Sequence, residues 1–351
     1  MNHIPQIAAL LSRYQLDAML VTGSIGRQYA VGSVVFAGSV LVTAERGWYV
    51  TDGSPLPSQS PDYETISVPA STVDETVAKL IRDHRLTAVG YEEETLSQRG
   101  YAALSGLLSC ELVPAQKLLW DARRKKTSEE IRRIRAVQAI TDRAFLDVLP
   151  RIRAGLTEHE IAGMLAERML ANGGFQLAFP PIVASGINGS NPHGFATDRI
   201  VRNGDFVTMD FGVIMDNYGS DMTRTVAIGS CTDEMRHVYE TVLAAQQAGI
   251  RAAHGGVRGQ EIDAAGRSVI EAAGYGACFT HSFGHGLGLE GHESPGAGPN
   301  DTTELPAGAV VSAEPGIYLP GRFGVRIEDL IVLTEDGCEN LNRSTKELLV
   351  L

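Results

Sequence analysis

Two similar stretches of the sequence carry pairs of acidic residues whose spacing could assemble a metal site. The first, residues 207–221, reads VTMDFGVIMDNYGSD and holds Asp210 and Asp221 on either side of an Asp-Asn turn. Apolar, β-favouring runs around such a turn predict a β-hairpin. If the chain reverses between Met215 and Asp216, Asp210 lies opposite Asp221 to within one position, with Cβ atoms roughly 4.5–5.5 Å apart. Two facing carboxylates require a shared proton, a basic side chain or a metal cation between them.

A second hairpin is predicted in the stretch AEPGIYLPGRFGVRIED, with its centre at Gly321. Counting outwards from that glycine pairs Glu314 with Glu328. The two hairpins also match in sequence, because Gly204, Val207, Asp210 and Gly212 align with Gly308, Val311, Glu314 and Gly316. Four carboxylates carry a charge of about −4, which two divalent cations would balance. An oxygen-rich site suits Mn²⁺, with Co²⁺ and Zn²⁺ possible when one imidazole joins.

Histidines are concentrated between the two hairpins, in the glycine-rich segment THSFGHGLGLEGHESP. This segment contains His281, His285 and His292, and its glycines allow a ligand to approach the backbone closely. We expect at least one of the three to bind metal. His193 lies earlier, in the loop sequence PPIVASGINGSNPHG, and taken alone it would be interpreted as a surface histidine.

The elements that must position these residues fall into two domains. Residues 1–120 alternate short apolar runs with helical patterns, which predicts an α/β domain. Residues 121–127, at the start of the charge-dense sequence DARRKKTSEE, are predicted to be a linker. Residues 128–351 contain the order helix, helix, hairpin twice, which predicts an α+β domain with an internal pseudo-two-fold duplication. Such a duplication would bring the two hairpins together into one four-carboxylate site.

Individual elements follow from periodicity and capping signals. The predicted strands of the first domain are 18–22, 40–43, 48–51 and 88–91, and its predicted helices are 72–82 and 97–108. Capping boxes at Thr127 with Glu130 and at Thr157 with Glu160 begin two helices of the second domain, the first of which shows helical periodicity as far as Ile152.

Composition restricts the classes of function. The chain has 351 residues, 44% hydrophobic and 21% charged, with a net charge of −12. This charge argues against nucleic acid or an anionic membrane as a partner. No apolar run approaches the ~18 residues of a membrane span, and no signal peptide is evident. The four scattered cysteines are expected to be buried, reduced thiols, which indicates a cytoplasmic protein.

Several segments together resemble one known family. IVASGINGSNPHG, GDFVTMDFG, SDMTRT, HSFGHGLGLEGHE, AEPGIY and VRIED are similar to the pita-bread metallopeptidases, in the proline-specific branch that contains Xaa-Pro dipeptidase (prolidase) and aminopeptidase P. The resemblance covers essentially the whole chain. It implies a creatinase/prolidase-type α/β domain at residues 1–120 and a pita-bread catalytic domain at residues 128–351.

The resemblance implies a site with two divalent metal ions. Asp210 would chelate one metal with both oxygens, Asp221 and Glu328 would bridge the two metals, and His285 and Glu314 would complete the shell of the second. A hydroxide that bridges the metals would attack the Xaa-Pro peptide bond. Glu314 would carry the proton from that water to the proline nitrogen.

Further residues fall at positions where the family contacts substrate. By the same resemblance, His193 and His292 would donate hydrogen bonds to the substrate and the developing oxyanion. His281, Tyr318 and Arg326 fall at positions that contact substrate or support the metal ligands. Arg326 is alternatively assigned to holding Glu328 in place.

The expected substrates are Xaa-Pro dipeptides or short proline-containing peptides, with Xaa-Pro dipeptidase as the main expectation. The alternative is an aminopeptidase P, which removes the residue before proline from longer peptides. HESP is followed by Gly296, where relatives often carry an arginine for the dipeptide carboxylate, so Arg322 or Arg326 would have to take that role. Residues 51–57 also lack the arginine-tyrosine pair of many relatives. Relatives are often homodimers.

Three other classes are disfavoured. A non-catalytic pita-bread binding protein, or a metal-free hydrolase of the creatinase type, would be expected to have lost metal ligands, yet all five ligand positions are intact. A methionine aminopeptidase would normally lack the amino-terminal domain.

Overall fold

The fold is that of a computed structural model, which describes residues 2–53 and 60–351. The chain divides into two compact units, Met1–Arg123 and Arg124–Leu351. The sequence feature noted at residues 51–57 lies largely outside the described residues.

The first unit is an α/β structure built on a mixed sheet. Its strands are β1 (Ala18–Val21), β2 (Ser39–Thr43), β3 (Gly47–Thr51), β4 (Tyr63–Ser67), β5 (Ala88–Tyr91) and β6 (Glu111–Pro114). Its helices are α1 (Ile4–Ala8), α2 (Ser24–Val31), α3 (Val73–Asp83), α4 (Gln98–Leu107) and α5 (Gln116–Arg124). Among the described residues, six strands pair in the order β4-β3-β2-β1-β5-β6. The predicted α/β class is confirmed, although β4, β6 and three of the helices were not predicted.

Burial explains why these residues form these elements. All residues of β1 are buried, as expected for a central strand whose two faces are both covered. Helix α3 buries Val73, Val77, Ala78 and Ile81, which share one helical face. Helix α5 likewise buries Leu118, Leu119 and Ala122. Residues 121–124, predicted to begin a linker, therefore form the last turn of a helix.

The second unit contains four long helices. They are α6 (Ser128–Val148), α7 (Glu158–Ala171), α8 (Asp233–Ala252) and α9 (Gly259–Ala272). Both predicted capping boxes are present, since Thr127 and Glu130 cap α6 while Thr157 and Glu160 cap α7. Helix α6 ends at Val148 rather than continuing to Ile152, because Pro150 lies in a 3-10 turn that follows it.

The strands of the second unit form two main sheets and smaller ribbons. They are β7 (Gln176–Leu177), β8 (Ile182–Ser185), β9 (Phe206–Phe211), β10 (Val213–Met215), β11 (Tyr218–Gly219), β12 (Met222–Ala227), β13 (Gly284–Gly286), β14 (Glu293–Ala297), β15 (Val310–Ala313), β16 (Gly316–Leu319), β17 (Phe323–Arg326), β18 (Asp329–Leu333) and β19 (Cys338–Asn340). Within residues 124–351, one main sheet has the order β12-β9-β8 and the other β14-β13-β15-β18-β19.

The two halves of this unit repeat each other in detail. Each half runs helix, helix, hairpin, as the sequence predicts. Gly204 and Gly308, which align in sequence, both adopt left-handed backbone with φ of 87° and 92°. Val207 and Val311, three residues further along, are both fully buried. The predicted α+β fold with internal duplication is confirmed.

The predicted register is correct for the second hairpin and wrong for the first. In the second hairpin, Gly316 pairs with Arg326 and Ala313 pairs with Asp329, which is the register predicted from a centre at Gly321. In the first, Asp210 pairs with Thr223 rather than with Asp221. The prediction for the first hairpin is therefore wrong by two positions.

The turn explains this shift. Asp216 and Asn217 both have positive φ, so they are the two central residues of the turn and Met215 pairs with Tyr218. Because the error is an even number of residues, Asp221 still lies on the same face as Asp210, as its diagonal neighbour.

Two expectations drawn from composition are also resolved. Among the described helices, none combines the length and apolar composition that a membrane span requires. All four cysteines are unpaired, but each is partly exposed, so the expectation that they are buried is wrong.

Candidate metal centre and active site

A cavity of about 630 Å³ in the second unit contains the predicted site. Its walls include nine of the ten residues singled out from the sequence: His193, Asp210, Asp221, His281, His285, His292, Glu314, Arg326 and Glu328. The tenth, Tyr318, lies behind the wall and contacts two of them. The remaining walls are largely apolar and include Phe179, Pro180, Ile182, Pro192 and Phe195.

The four carboxylates stand at strand ends where the two hairpins meet. Asp210 lies in β9 and Asp221 immediately precedes β12, while Glu314 follows β15 and Glu328 precedes β18. The backbone joins the hairpins directly, because the N–H of Glu328 donates to the carbonyl of Thr223 at 3.1 Å.

Three buried carboxylate oxygens in this cluster have no hydrogen-bond partner. They are Oδ1 of Asp210, Oδ1 of Asp221 and Oε1 of Glu328. An unpaired buried carboxylate oxygen is costly unless a cation satisfies it. Three such oxygens converging in one cavity fit divalent metal ions, which oxygen ligands of this kind bind well.

An imidazole completes the cluster. Ligand atoms of Asp221, His285 and Glu328 lie within 4.8 Å of one another, close enough to hold one ion. Nδ1 of His285 lies 3.1 Å from the carbonyl of Gly286, so this nitrogen carries the hydrogen. Nε2 therefore directs its lone pair at carboxylate oxygens of Glu314, 3.2 Å away, and Asp221, 3.7 Å away. Lone pairs facing each other at these distances require a proton or a cation between them.

Without cations, the cluster strongly disfavours its own charges. Burial, followed by the charges of Glu328 and Asp210, raises the pKa of Asp221. Burial and the charges of Glu314 and Asp210 likewise raise the pKa of Glu328. Burial raises the pKa of Glu314 to about 7 even though Arg326 opposes the shift. Nearby positive charge would therefore stabilise the ionised carboxylates, and the protein itself supplies only part of that charge.

The positive charge that the protein supplies comes from Arg326. Its Nη2 donates to Oδ2 of Asp210 at 2.7 Å, and its Nε donates to Oγ1 of Thr223 at 3.0 Å. The hydroxyl of Thr223 in turn donates to Oε2 of Glu328 at 2.8 Å. Arg326 thus holds Asp210 directly and Glu328 only through Thr223. With all four carboxylates ionised, as bound cations would keep them, this guanidinium reduces the charge to be balanced from about −4 to about −3.

The contact with Arg326 changes what is expected of Asp210. The family resemblance implies that both of its oxygens chelate one metal. Oδ2 already accepts from Arg326, so it has one lone pair left, whereas Oδ1 has no partner.

A chain of hydrogen bonds runs from Arg326 to His281. Nη1 of Arg326 donates to the Tyr318 hydroxyl at 2.8 Å, and that hydroxyl lies 2.9 Å from Nε2 of His281. Nδ1 of His281 lies 2.8 Å from the carbonyl of Ser282, so Nδ1 donates there and Nε2 accepts from Tyr318. Burial and the nearby Arg326 lower the pKa of His281 to about 4, which keeps the ring neutral.

The other two predicted histidines stand at the cavity wall. The ring of His292 stacks on the ring of His285 with centroids 3.7 Å apart. His193 is exposed and belongs to the loop after β8. This loop is anchored near it by the carbonyl of Pro192, which accepts from Nη1 of Arg326 at 3.1 Å.

Comparison with known proteins identifies the family. The model of metallopeptidase family M24 matches residues 132–335, and the creatinase/prolidase N-terminal domain model matches residues 4–125. The chain belongs to metallopeptidase family M24. Family membership implies divalent metal ions, and the orphaned carboxylate oxygens described above fit them.

Relatives of this M24 protein are similar over nearly its whole length. Xaa-Pro dipeptidase from Pyrococcus furiosus is 32% identical over 99% of both chains. The solved structure of Xaa-Pro dipeptidase from Bacillus anthracis is similar with a TM-score of 0.95, 36% identity and 99% coverage of both chains. An X-Pro aminopeptidase structure from Thermotoga maritima is similar with a TM-score of 0.90 and 34% identity, covering 97% of this chain and 99% of that one. Family and relatives together identify a peptidase.

Some residues of the M24 site were not predicted from the sequence. Oε1 of Gln138, on α6, accepts from the N–H of Asp221 at 3.1 Å. The Ser312 hydroxyl donates to Glu314 and accepts from the N–H of His285. The contacts of Gln138 with Asp221 and of Ser312 with His285 join segments far apart in the chain, and neither Gln138 nor Ser312 stands in a recognisable motif.

One suggested residue lies elsewhere. Arg322, named as a possible partner for a substrate carboxylate, is exposed and pairs with Glu234 on α8. It does not line the cavity, so it is not placed for that role.

Proposed function

We propose that this protein hydrolyses Xaa-Pro dipeptides with the help of two divalent metal ions. The observation that carries the proposal is the convergence of orphaned oxygens from Asp210, Asp221 and Glu328 on one cavity, beside His285 and Glu314. The relatives named as Xaa-Pro dipeptidases, which are similar over nearly the whole chain, support the choice of substrate.

We assign the metal-binding role to these five residues. Burial and the charge of Glu328 raise the pKa of Asp221. These two carboxylates would each contact both ions, while Asp210 would bind one ion and His285 with Glu314 the other. Divalent ions held there would lower the pKa of water and polarise the substrate carbonyl. Four carboxylates with one guanidinium suit Mn²⁺ first, and the single imidazole also permits Co²⁺ or Zn²⁺.

Glu314 is the proton carrier in this proposal. Burial raises its pKa to about 7 in the metal-free protein, and bound cations would lower that pKa again, which leaves a carboxylate that can accept a proton from water. Its Oε1 accepts from the Ser312 hydroxyl at 3.1 Å, which fixes its orientation. From there, Glu314 takes a proton from the attacking water and delivers it to the nitrogen of the leaving proline.

His193 and His292 act on the substrate. Both line the cavity, and neither is one of the five residues assigned to metal binding. Each donates a hydrogen bond to the substrate, and such a bond is worth most when the carbonyl oxygen becomes an oxyanion. The apolar wall around Phe179 and Ile182 offers a surface for the side chain or ring of the substrate.

In this proposal, His281 and Arg326 belong to the wall that positions proline, and Tyr318 supports them from behind. Proline lacks an N–H, so its ring has to be held by shape rather than by the backbone pairing most peptidases use. The neutral His281 ring, fixed by Tyr318, presents such a surface to the cavity. Arg326 is engaged with Asp210, Tyr318 and Pro192, so we assign it to supporting the site.

The decisive assay uses chelator-stripped enzyme to which Mn²⁺, Co²⁺ or Zn²⁺ is returned. Ala-Pro should be hydrolysed only after metal is restored, fastest with Mn²⁺, whereas the matched dipeptide Ala-Ala should be cleaved far more slowly. Faster turnover of Ala-Pro-Ala-Ala than of Ala-Pro would instead favour an aminopeptidase P. Metal-independent cleavage of Ala-Pro would contradict the metallopeptidase mechanism.

We further propose a cytoplasmic homodimer. The four unpaired cysteines support a reducing compartment. Dimerisation rests on analogy with related peptidases, and light scattering on the purified protein measures it directly.

A further inference from the structure

A fully buried carboxylate at the beginning of α7 has no role in the function proposed so far. Glu158 is 0% exposed and accepts five hydrogen bonds. Its Oε1 accepts from the N–H and the hydroxyl of Ser185 at 2.6 and 2.7 Å. Its Oε2 accepts from the Asn188 amide at 2.9 Å, and from the N–H and the hydroxyl of Thr197 at 3.0 and 2.6 Å.

Four of these five contacts come from Ser185 and Thr197, at the two ends of the segment that carries His193, and the fifth comes from Asn188 inside it. Ser185 is the last residue of β8 and pairs with Val207 of β9, the strand that contains Asp210. Thr197 lies at the other end, where the chain returns to α7. We call residues 186–196 the His193 loop. One carboxylate thus ties both ends of this loop to a helix and, through β8, to the sheet that carries the metal site.

The middle of the His193 loop is held separately. Pro192 accepts from Arg326, and the backbone of Gly189 packs closely against Gly324 of β17. His193 itself is exposed, and its backbone N–H donates to Oδ1 of Asn191 at 3.0 Å. Because solvent surrounds the imidazole, its position depends on how firmly the loop is fixed.

A second glutamate in the same helical turn shows how unusual Glu158 is. Glu160 is exposed, and its carboxylate caps its own helix by accepting from Thr157. Helix stability alone requires only that kind of contact. A buried carboxylate is costly unless its lone pairs are satisfied, so the five contacts of Glu158 fix the groups that donate them.

We propose that Glu158 is a positioning residue that holds the His193 loop and thereby places the His193 imidazole at the reacting peptide bond. This inference rests on the proposed function, in which His193 donates a hydrogen bond to the substrate. Glu158 acts through the loop and does not itself touch substrate or metal.

The test compares Glu158→Gln with Glu160→Gln. In Glu158→Gln one oxygen becomes an NH₂ group that cannot accept, so the donors at one end of the loop lose their acceptor. We expect kcat/KM for Ala-Pro to fall about 10- to 100-fold through misplacement of His193, with metal content unchanged. Glu160→Gln makes the same chemical change at an exposed position in the same helical turn, where the amide oxygen can still cap the helix, and should retain wild-type kcat/KM.

A double-mutant cycle with His193→Ala separates positioning from general destabilisation. If Glu158 acts through His193, adding Glu158→Gln to His193→Ala should lower kcat/KM by no more than about threefold further. Fully additive losses would overturn the inference. Thr197→Val, which removes one donor and keeps the carboxylate, should show a smaller loss with the same non-additivity, and it serves if Glu158→Gln does not fold.

Hydrogen exchange tests the same inference without relying on activity. Glu158→Gln should increase amide exchange in residues 186–196 and leave β9 and β12 protected. Unchanged exchange in the loop would overturn the positioning role. An inactive wild-type enzyme with the expected exchange pattern would instead mean that the proposed function, and not the loop restraint, is wrong.

Discussion

The two acidic hairpins share a sequence pattern, but their carboxylates occupy different register positions. In the second hairpin, Glu314 and Glu328 stand at matching register positions. In the first, Asp210 pairs with Thr223, and Asp221 is its diagonal neighbour.

Each hairpin also supports an acid of the other. Arg326 of the second donates to Asp210 of the first, whereas Thr223 of the first donates to Glu328 of the second. The two hairpins therefore depend on each other, and neither would form the site alone.

The largest effect is expected from neutralising one shared carboxylate in each hairpin. Asp221→Asn and Glu328→Gln should each lower kcat by more than about 10³-fold, beyond the loss from one hydrogen-bond donor, because each removes a ligand charge that serves both ions. Steady-state kinetics on Ala-Pro, with metal content determined in parallel, measures the effect. Near-normal turnover of either variant with metals bound would refute the bridging assignment.

A smaller effect is expected from a residue that neither hairpin contributes. His193→Ala should lower kcat by about 10²-fold, because one oxyanion-type donor is lost. Elemental analysis should find the same metal content as in wild type, since the carboxylate cluster is untouched. Loss of metal in this variant would show that His193 is a metal ligand and would contradict its assignment as a substrate contact.

Metal removal should affect stability, because without cations the buried Asp221, Glu314 and Glu328 must either bind protons or carry disfavoured charges. Metal at about 100 times its dissociation constant should stabilise the fold by about 2.7 kcal/mol. Thermal unfolding with and without chelator measures this. Metal-free Asp221→Asn should melt higher than metal-free wild type, because Asp221, whose pKa burial raises, must bind a proton or carry a disfavoured charge in the fold, whereas Asn is neutral. A lower melting temperature would show that the carboxylates do not strain the metal-free fold.

The smallest predicted effect concerns the paired glycines that precede the two acidic strands. Gly204→Ala and Gly308→Ala place a side chain in left-handed backbone, which costs about 1–2 kcal/mol each. Gly308→Ala should cost more, because its Cβ would lie 3.1 Å from the carbonyl of Lys126, whereas the nearest atom to a Cβ at Gly204 is 3.8 Å away. Urea unfolding of both variants measures the difference. Equal or reversed costs would show that local crowding does not distinguish the repeats.

The sequence predicted those features of the hairpins that depend on local chemistry. The Pro-Gly turn placed Glu314 opposite Glu328 correctly, since Gly321 has the positive φ that such a turn favours. The first turn was displaced by one residue because two consecutive left-handed residues, Asp216 and Asn217, form its centre. The alignment of Gly204 with Gly308 correctly indicated the duplication.

What the sequence did not predict depends on contacts between distant segments. Arg326 reaches Asp210 across 116 positions, and Gln138 reaches Asp221 across 83. Glu158 occupies the first turn of a helix, where an acid is ordinarily an exposed capping residue. Its burial follows only from the return of the chain at Thr197, which no local pattern indicates.

Anomalous diffraction from crystals grown with Mn²⁺ tests the central proposal most directly. Two strong peaks about 3.5–4 Å apart are expected, both within bonding distance of Asp221 and Glu328, with His285 on one of them. An absence of peaks in this cavity, or peaks bound elsewhere in a protein that hydrolyses Ala-Pro, would contradict the account.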